Sequence, residues 1–211
     1  MRDKLISQPI KLNLIVAMNN SNRGIGVNGT IPWRIPKDLK HFAKITTFTR
    51  DSSKKNAVLM GRKTWFSLPK NFRPLPNRLN VIISSNLNLE TCEPKENTDL
   101  NNILIFKSFN DAVETLIDKY SDKLENIYAI GGSMIYKEAL QFPKGFLNRI
   151  YLTRVFSDIE CDTFMEPENF LDNFKKLDLF EDEENVGAEF NKMQTENANN
   201  LNYIFEVYEK I

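Results

Sequence analysis

Short apolar runs rich in β-branched residues alternate with helix-like segments along most of the chain. Runs of this length and composition are typical of buried strands. The predicted strands are IKLNLIVAM (10–18), NAVLMG (56–61), RLNVIISS (78–85), NILIF (102–106), NIYAI (126–130) and LNRIYLTRVF (147–156). Strands that alternate with helices in this way indicate an α/β sheet in which parallel crossovers dominate.

The segment IPWRIPKDLKHFAKI (31–45) is predicted to form an amphipathic helix that begins at Pro36. At about 100° per residue, Asp38 falls inside the apolar sector of this helix. The apolar sector holds Ile35, Leu39, Phe42 and Ile45, and the opposite side holds Lys37, Lys40, Lys44 and the only histidine, His41. A carboxylate in an apolar stripe is a candidate functional group, but a carboxylate in the first turn also favours the helix dipole and can cap backbone N–H groups.

Three further helices and a different C-terminal pattern complete the prediction. The helices are RKTWFSLP, which ends at Pro69, SFNDAVETLIDKY, with Ser108 as N-cap and Asp111 at its third position, and SMIYKEAL (133–140). The segments FKKLDLF (174–180) and LNYIFEVYEKI (201–211) predict two antiparallel strands joined by a long exposed loop over 181–200. With no linker and no internal repeat, we expect one domain over residues 1–211.

Composition narrows the possible partners. Lys and Arg number 28 and Asp and Glu also number 28, so no net field favours nucleic acid or an anionic membrane. The apolar runs are too short for a membrane span, and we expect a soluble, cytoplasmic protein. Cys92 and Cys161 lie far apart without metal-ligand spacing, and His41 has no second histidine. Zinc chemistry, a metal site and histidine-based triads are therefore not expected.

Two glycine-rich stretches differ in their context. GIGVNG (24–29) matches the dinucleotide fingerprint literally, but TIPWRIP follows it, so no helix opens at the last glycine and the fingerprint interpretation fails. We expect residues 19–33 to form a glycine-articulated loop. YAIGGSMIYKEAL (128–140) places Gly131 and Gly132 between a strand and a helix. On this motif alone, a tight turn is the simpler interpretation, and a phosphate cradle is the alternative.

Polar and cationic residues follow three of the predicted strands. In an open α/β sheet, ligands gather at the carboxyl ends of the strands, so these groups are expected to converge on one polyanion. They are Arg62, Lys63 and Thr64 after VLMG, Ser84 and Ser85 after LNVII, and Lys107 after ILIF. A cofactor with a pyrophosphate and an additional phosphate, such as NADPH, suits this layout.

The chain resembles dihydrofolate reductase along nearly its whole length. The segments that carry the resemblance occur in the family's order and are LIVAM, GIGVNGTIPW, VLMGRKTWFSLP, RPLPNRLNVIIS, YAIGGSMIYKEAL, IYLTRV, CDTFM and FEVYEKI. The resemblance implies a single α/β domain with a mixed, mainly parallel eight-stranded sheet flanked by helices and an antiparallel C-terminal hairpin at the edge. It also implies an oxidoreductase that reduces 7,8-dihydrofolate to tetrahydrofolate with NADPH, in one-carbon metabolism.

The resemblance also assigns a role to Asp38. It implies that Asp38 hydrogen-bonds the pterin ring, that Thr153 orients its carboxylate, and that Trp33 holds an ordered water while closing the pocket. In the family, hydride passes from the nicotinamide to C6 of the pterin, and N5 gains a proton. Asp38 would orient the ring and support the protonated N5, and water would carry the proton. Members with similar KTWFSLP and FEVYEKI segments usually carry Glu at this position, so Asp38 is a departure that deepens the pocket.

Further site residues follow from the same matching. The expected substrate-binding residues are Ile15, Val16, Leu39, Phe42, Leu68, Phe72, Leu75, Arg78, Ile130 and Tyr136, with Arg78 on the glutamate α-carboxylate. The expected NADPH-binding residues are Ala17, Ile25, Gly26, Gly61, Arg62, Lys63, Thr64, Ser84, Ser85, Lys107, Gly131, Gly132, Ser133, Met134 and Tyr136. The family's peptide between the two glycines is cis, and the loop 19–33 would act as a lid over the nicotinamide.

Two rival functions remain possible at this point. One is another NADPH-dependent pterin or pyrimidine reductase on the same fold, which would not need Asp38 and Arg78. The other is a non-enzymatic α/β binding protein, which would tolerate loss of Trp33, Asp38 or the diglycine. Since these residues are all present, we expect an enzyme that binds dihydrofolate and antifolate inhibitors, and the resemblance implies a monomer.

Overall fold

The computed structural model describes residues 9–92, 94, 99–143, 146–178 and 190–211. The strands are β1 (Lys11–Asn19), β2 (Gly24–Gly26), β3 (Lys55–Gly61), β4 (Arg78–Ile83), β5 (Ile103–Phe106), β6 (Leu124–Gly131), β7 (Leu147–Phe156), β8 (Thr163–Phe164), β9 (Phe174–Lys176), β10 (Gln194–Glu196) and β11 (Leu201–Lys210). The helices are α1 (Pro36–Thr47), α2 (Arg62–Ser67), α3 (Phe109–Tyr120) and α4 (Ser133–Gln141), with short 3-10 turns at Lys70–Phe72 and Leu100–Asn102.

One mixed sheet organises the described residues. Eight strands follow one another in the order β10-β11-β7-β1-β6-β3-β4-β5, and the short β9 pairs with β11. The pairs from β7 to β5 are parallel, and β11 runs antiparallel to β7, β9 and β10. The nearly continuous burial of β1 and β3 is what a strand covered on both faces requires. The predicted mixed, mainly parallel eight-stranded sheet is confirmed.

Helices cover both faces of this sheet. Helices α3 and α4 contribute Val113 and Ile135 to one core that also contains Leu14 and Val16 of β1. On the other face, Ile45 of α1 and Trp65 of α2 pack in a second core with Ile15. Successive residues of a strand point to opposite faces, so Ile15 belongs to a different core from its neighbours. No helix among the described residues is long and apolar enough to span a membrane.

The predicted helix starts are confirmed, and the helix ends differ from the predicted ones by no more than two residues. Helix α1 has Pro36 at its first position, and α2 ends before Pro69. Ser108 caps α3, because its Oγ accepts a hydrogen bond of 3.1 Å from the backbone N–H of Asp111. The literal fingerprint at 24–29 forms the short strand β2, which pairs with β8, and no helix begins there.

The C-terminal prediction is correct in part. The antiparallel pairing of β9 with β11 is confirmed. The predicted exposed loop contains the strand β10, in which Gln194 pairs with Tyr203. A polar segment can form this strand because an edge strand needs main-chain partners on one side only and can expose its side chains to water. Residues 181–189 of that loop lie outside the described residues, as do residues 179 and 180.

His41 lies on the lysine side of α1, as the sequence predicts, but aromatic residues cover that side at His41. Its ring stacks on Phe205 at 4.0 Å between centroids and meets Phe190 edge-on at 5.2 Å. The reason is that β11 and the segment around residue 190 cover this side of the helix. Burial, followed by the charge of Lys44, lowers the pKa of His41 to about 4, so the ring is neutral at neutral pH.

Candidate active site

The carboxyl ends of six adjacent parallel strands place most of the predicted site residues along one edge of the sheet. Strand β7 brings Thr153, its neighbour β1 brings Ile15 to Ala17, and β6 brings Ile130 and Gly131. Next along the sheet, β3 ends at Gly61, β4 leads into Ser84 and Ser85, and β5 leads into Lys107. An elongated ligand can therefore lie across the strand ends. We call the part with the predicted substrate-binding residues the folate half and the part with the predicted NADPH-binding residues the cofactor half.

Asp38 and Thr153 form the polar centre of the folate half. The Thr153 hydroxyl donates a hydrogen bond of 2.6 Å to Oδ1 of Asp38. Asp38 keeps some contact with solvent, but burial of its carboxyl group raises its pKa to about 6, and the bond from Thr153 opposes this rise. A carboxyl group with a pKa near the working pH and a specific hydrogen-bond donor is a candidate functional group.

The alternative role of Asp38 as a helix-start cap is not supported by the contacts. The N-cap residue of α1 is Ile35, and no side chain caps the first turn. Among the described residues, the hydrogen bond recorded for the Asp38 carboxylate comes from Thr153 of the sheet. Asp38 is therefore directed away from the free N–H groups of its own helix.

Trp33, just before α1, carries a buried donor that has no partner in the part of the chain that the structure describes. Its side chain is 8% exposed and packs with Ile35, Val155 and Phe205. Its buried Nε1 has no hydrogen-bond partner among the described residues. A buried indole N–H is costly unless it donates, so its environment fits a bound water or a ligand.

Tyr136 and the diglycine form the junction between the two halves. The Tyr136 hydroxyl donates a hydrogen bond of 3.0 Å to the carbonyl oxygen of Ile15. Burial raises the pKa of Tyr136, and the negative charge of Asp38 raises it further. Gly131 has φ of 104°, and the peptide between Gly131 and Gly132 is cis, as the resemblance implies.

Arg78 forms the far end of the folate half. Its guanidinium is buried, donates from Nη1 to the Thr46 hydroxyl at 2.6 Å and from Nε to the Pro76 carbonyl at 2.9 Å, and lies 5.7 Å from the Phe42 ring centroid. Burial lowers its pKa to about 10, and no ion pair is recorded for it among the described residues. A buried guanidinium without an anion fits a carboxylate ligand, which it can hold with two parallel bonds.

Apolar side chains lie between Asp38 and Arg78. Leu39 and Phe72 are each 58% exposed, while Leu75 is buried. Phe42 and Leu68 are half-buried. Large exposed apolar groups in one region mark a ligand or partner surface. The side chain of Val16 packs in the core on the opposite face, so only its backbone could contact a ligand here.

Two polar residues support this half and were missed by sequence reasoning. Thr46 holds Arg78 and in turn donates 2.7 Å to the Phe42 carbonyl. Asn80 accepts from the backbone N–H of Leu75 at 2.8 Å and donates to the Leu75 carbonyl at 3.0 Å. An asparagine inside the apolar run RLNVII was a usable signal, whereas nothing local distinguishes Thr46 from Thr47.

The cofactor half is built on helix starts and exposed cations. The N-cap of α4 is Gly132, which leaves the first-turn N–H groups, including those of Ser133 and Met134, without a side-chain cap. A Cβ at Gly132 would lie 3.6 Å from the Thr64 hydroxyl, so the starts of α4 and α2 adjoin. These uncapped helix starts fit a phosphate group.

The remaining cofactor residues line the same edge. Four of these residues are exposed, namely Arg62, Lys63, Ser85 and Lys107. The backbone N–H of Ser84 donates a hydrogen bond to the Phe106 carbonyl, so the ends of β4 and β5 are adjacent. Ala17 is half-buried at the end of β1, and Gly61 is the N-cap of α2. Ile25 and Gly26 lie in β2, where the Gly26 carbonyl accepts from Asp162. Basic side chains grouped at strand ends fit an additional phosphate.

The lid role of residues 19–33 stays a prediction.

Comparisons with known proteins agree with this geometry. The sequence profile of the family described as dihydrofolate reductase matches residues 11–210. The dihydrofolate reductase of Aedes albopictus is 36% identical over 202 residues, covering 95% of this chain and 98% of that relative. The dihydrofolate reductase of Drosophila melanogaster is 40% identical over 163 residues, covering 76% and 83%. Schistosoma mansoni dihydrofolate reductase, a solved structure, matches with a TM-score of 0.75 at 33% identity, covering 97% of this chain and all of that one. The chain belongs to the dihydrofolate reductase family.

Proposed function

We propose that this protein reduces 7,8-dihydrofolate to tetrahydrofolate with NADPH, as an oxidoreductase of one-carbon metabolism. The observation that carries the proposal is the Thr153–Asp38 hydrogen bond of 2.6 Å at the carboxyl edge of β7, together with the buried Arg78 guanidinium, which has no ion pair among the described residues. A carboxylate at one end and a guanidinium at the other match a molecule with a basic heterocycle and a terminal carboxylate.

Asp38 is the residue that orients the pterin. Its carboxylate accepts from Thr153 through one oxygen, which fixes its rotamer and leaves the other oxygen for N–H donors of the ring. A negative charge in this partly buried site favours protonation of the neighbouring N5, since electrostatic effects are stronger where water is excluded. Trp33, whose Nε1 has no partner among the described residues, would hold the water that carries the proton.

The substrate tail and the cofactor occupy the remaining surfaces. Leu39, Phe42, Leu68, Phe72 and Leu75 would contact the benzoyl group, and Arg78 would bind the α-carboxylate. NADPH supplies the hydride, and the first-turn N–H groups of α4 would hold its pyrophosphate. Arg62, Ser84, Ser85 and Lys107 would hold the 2′-phosphate, which NADH lacks. These assignments rest on the strand order that places the groups side by side.

The same proposal covers the domain organisation, the localisation, the oligomeric state and the inhibitors of the protein. We expect one domain over residues 1–211, acting as a cytoplasmic monomer. Antifolate inhibitors with a basic diaminopyrimidine or diaminopteridine ring would bind more tightly than substrate, because a protonated ring forms a charge-assisted pair with Asp38. The partly buried position of Asp38 strengthens that pair.

The proposal is tested by a spectrophotometric assay of NADPH oxidation with purified protein. Dihydrofolate with NADPH should give turnover, NADH should be used poorly, and a pterin without the benzoylglutamate tail should have a much higher KM. Equal turnover of the tail-less pterin would favour another pterin reductase on this fold. Absence of turnover with every pair would favour a binding protein without this activity.

A further inference from the structure

The segment 190–200, which the sequence pattern leaves without a role, covers one side of the helix that carries Asp38. Asn199 donates from Nδ2 to the Arg34 carbonyl at 3.0 Å, just before α1. One turn later, Lys37 donates to Gln194 at 3.4 Å. Another turn later, His41 meets Phe190. Residues 34, 37 and 41 have the spacing of one helix side, so the segment follows α1 over its first two turns.

His41 and Asp38 of α1 contact a matched pair of residues on the sheet. Thr153 and Phe205 are directly opposite each other on β7 and β11. Opposed residues of an antiparallel pair point to the same face. Asp38 bonds to Thr153, and His41, three residues later on the helix, stacks on Phe205 at 4.0 Å with 19° between the ring planes. The helix therefore meets the sheet at two adjacent points.

Phe190 closes the second side of the His41 ring. Its ring meets His41 at 67°, and its backbone forms a parallel bridge with Phe205. Asn191 fixes this position, because its N–H bonds to the Phe205 carbonyl at 2.9 Å and its side chain bonds to the Leu177 carbonyl at 3.0 Å. We call His41, Phe190 and Phe205 the aromatic clamp. The neutral state of His41 at neutral pH allows the ring to be stacked without burying a charge.

We infer that His41 is a positioning residue, and that the aromatic clamp holds α1 where the Asp38 carboxylate meets the Thr153 hydroxyl. The Asp38–Thr153 distance of 2.6 Å leaves little tolerance for a shift of the helix. Small misplacements of a group that orients substrate reduce turnover far more than they reduce stability. The inference rests on the proposed function for its effect on turnover, but the effect on Asp38 itself is independent of activity.

The direct test follows the titration of Asp38 by NMR with carboxyl-labelled aspartate. The bond from Thr153 lowers the pKa of Asp38, so its loss raises that pKa. His41→Ala should raise the pKa of Asp38, Thr153→Val should do the same, and the double variant should show no further rise. His41→Phe, which keeps a ring on Phe205, should restore the parent titration. An unchanged Asp38 titration in His41→Ala, or additive rises in the double variant, would overturn the inference.

Turnover gives the second readout. His41→Ala should lower kcat/KM for dihydrofolate about tenfold without changing KM for NADPH, and this loss should nearly vanish in the Thr153→Val background. Phe190→Ala, which removes the edge contact with His41 and a tilted ring contact with Phe205, should act in the same direction by less, and it serves if His41→Ala does not fold. An equal loss in both backgrounds would overturn the inference.

Phe142→Ala is the matched control. Phe142 is half-buried like His41 and also makes two ring contacts, with Phe109 at 5.7 Å and Phe146 at 5.4 Å, on the other face of the sheet. It should lower the melting temperature while leaving kcat/KM and the Asp38 titration unchanged. A loss of kcat/KM equal to that of His41→Ala would mean that general destabilisation explains both. A parent protein without dihydrofolate turnover would refute the proposed function alone, since the Asp38 titration still decides the inference.

Discussion

Gly131 lies against the ring of Tyr136 so closely that a Cβ at position 131 would be 2.9 Å from the ring and from its hydroxyl oxygen. The Tyr136 hydroxyl is held by the Ile15 carbonyl at 3.0 Å, so the ring cannot move aside without breaking that bond. The φ of 104° at Gly131 is also a conformation that residues with a side chain rarely adopt. The contact fixes the junction between the two halves of the candidate site.

Gly131→Ala should therefore impair both halves at once. We expect a loss of about 2 kcal/mol in the free energy of unfolding, from the contact and the positive φ together. KM should rise for both dihydrofolate and NADPH. Thermal melts and steady-state kinetics measure these effects, with Gly29→Ala as a control, because Gly29 has φ of 73° but no atom within 4 Å of its Cβ position. Equal effects of the two substitutions on KM would contradict the role of the Tyr136 contact.

Arg78→Lys tests the fork geometry at the end of the folate slot. Lysine keeps the positive charge but cannot donate to Thr46 and Pro76 while also holding a carboxylate with two parallel bonds. KM for dihydrofolate should rise by about tenfold or more, corresponding to at least about 1.4 kcal/mol, with kcat changed less. Thr46→Val should show a smaller rise of the same kind. The control substrate is a pterin without the glutamate tail, for which neither variant should differ from the parent.

The cationic strand ends should control cofactor choice. Arg62→Ala and Lys107→Ala remove exposed charges that would form charge-assisted hydrogen bonds with the 2′-phosphate. Each should raise KM for NADPH and leave KM for NADH nearly unchanged, and the rise should diminish at high salt. Lys119→Ala, which removes a charge from α3, is the control. A parallel loss with both cofactors would show that these residues serve the fold instead.

Much of this architecture is predictable from local sequence. Pro36 marks the start of α1 through its covalent geometry, and Ser108 marks the start of α3 through a single hydrogen bond. The apolar runs of β1 and β3 predict buried strands, because a strand that is covered on both faces needs apolar residues along its length. These features depend on residues close in sequence, so a pattern is enough to find them.

The features that sequence reasoning missed depend on contacts between distant segments. His41 is half-buried because Phe190 and Phe205, far along the chain, pack on its helix. Strand β10 is polar because it forms a sheet edge, so its composition resembles that of a loop. Thr46 matters only because folding brings Arg78 within 2.6 Å of its hydroxyl. No local pattern carries this information.

The raised pKa of Asp38 predicts how stability depends on pH. The ordinary value of 3.8 rises to about 6 in the folded protein, so the folded state binds its proton more tightly than the unfolded state. Asp38 therefore does not lower the free energy of unfolding below about pH 4, where it is protonated in the folded state. It lowers the free energy of unfolding increasingly as the pH rises through 6. Asp38→Asn should be more stable than the parent at pH 8 by about 1–3 kcal/mol, and equal to it near pH 4. Thermal or denaturant unfolding at both pH values measures the difference, and an equal difference at both would contradict the shift.

The pH dependence of turnover by Asp38→Asn tests the central assignment most directly. Asparagine keeps the shape of the side chain and its contact with Thr153, but it removes the charge that favours the N5-protonated pterin. At neutral pH, kcat should fall by about a hundredfold relative to the parent. Since acid protonates the substrate without help, the variant should recover activity as pH falls, while the parent should change much less over the same range. Turnover of dihydrofolate by Asp38→Asn at near-parent rates at neutral pH would contradict the assignment of Asp38 as the group that orients and supports the pterin.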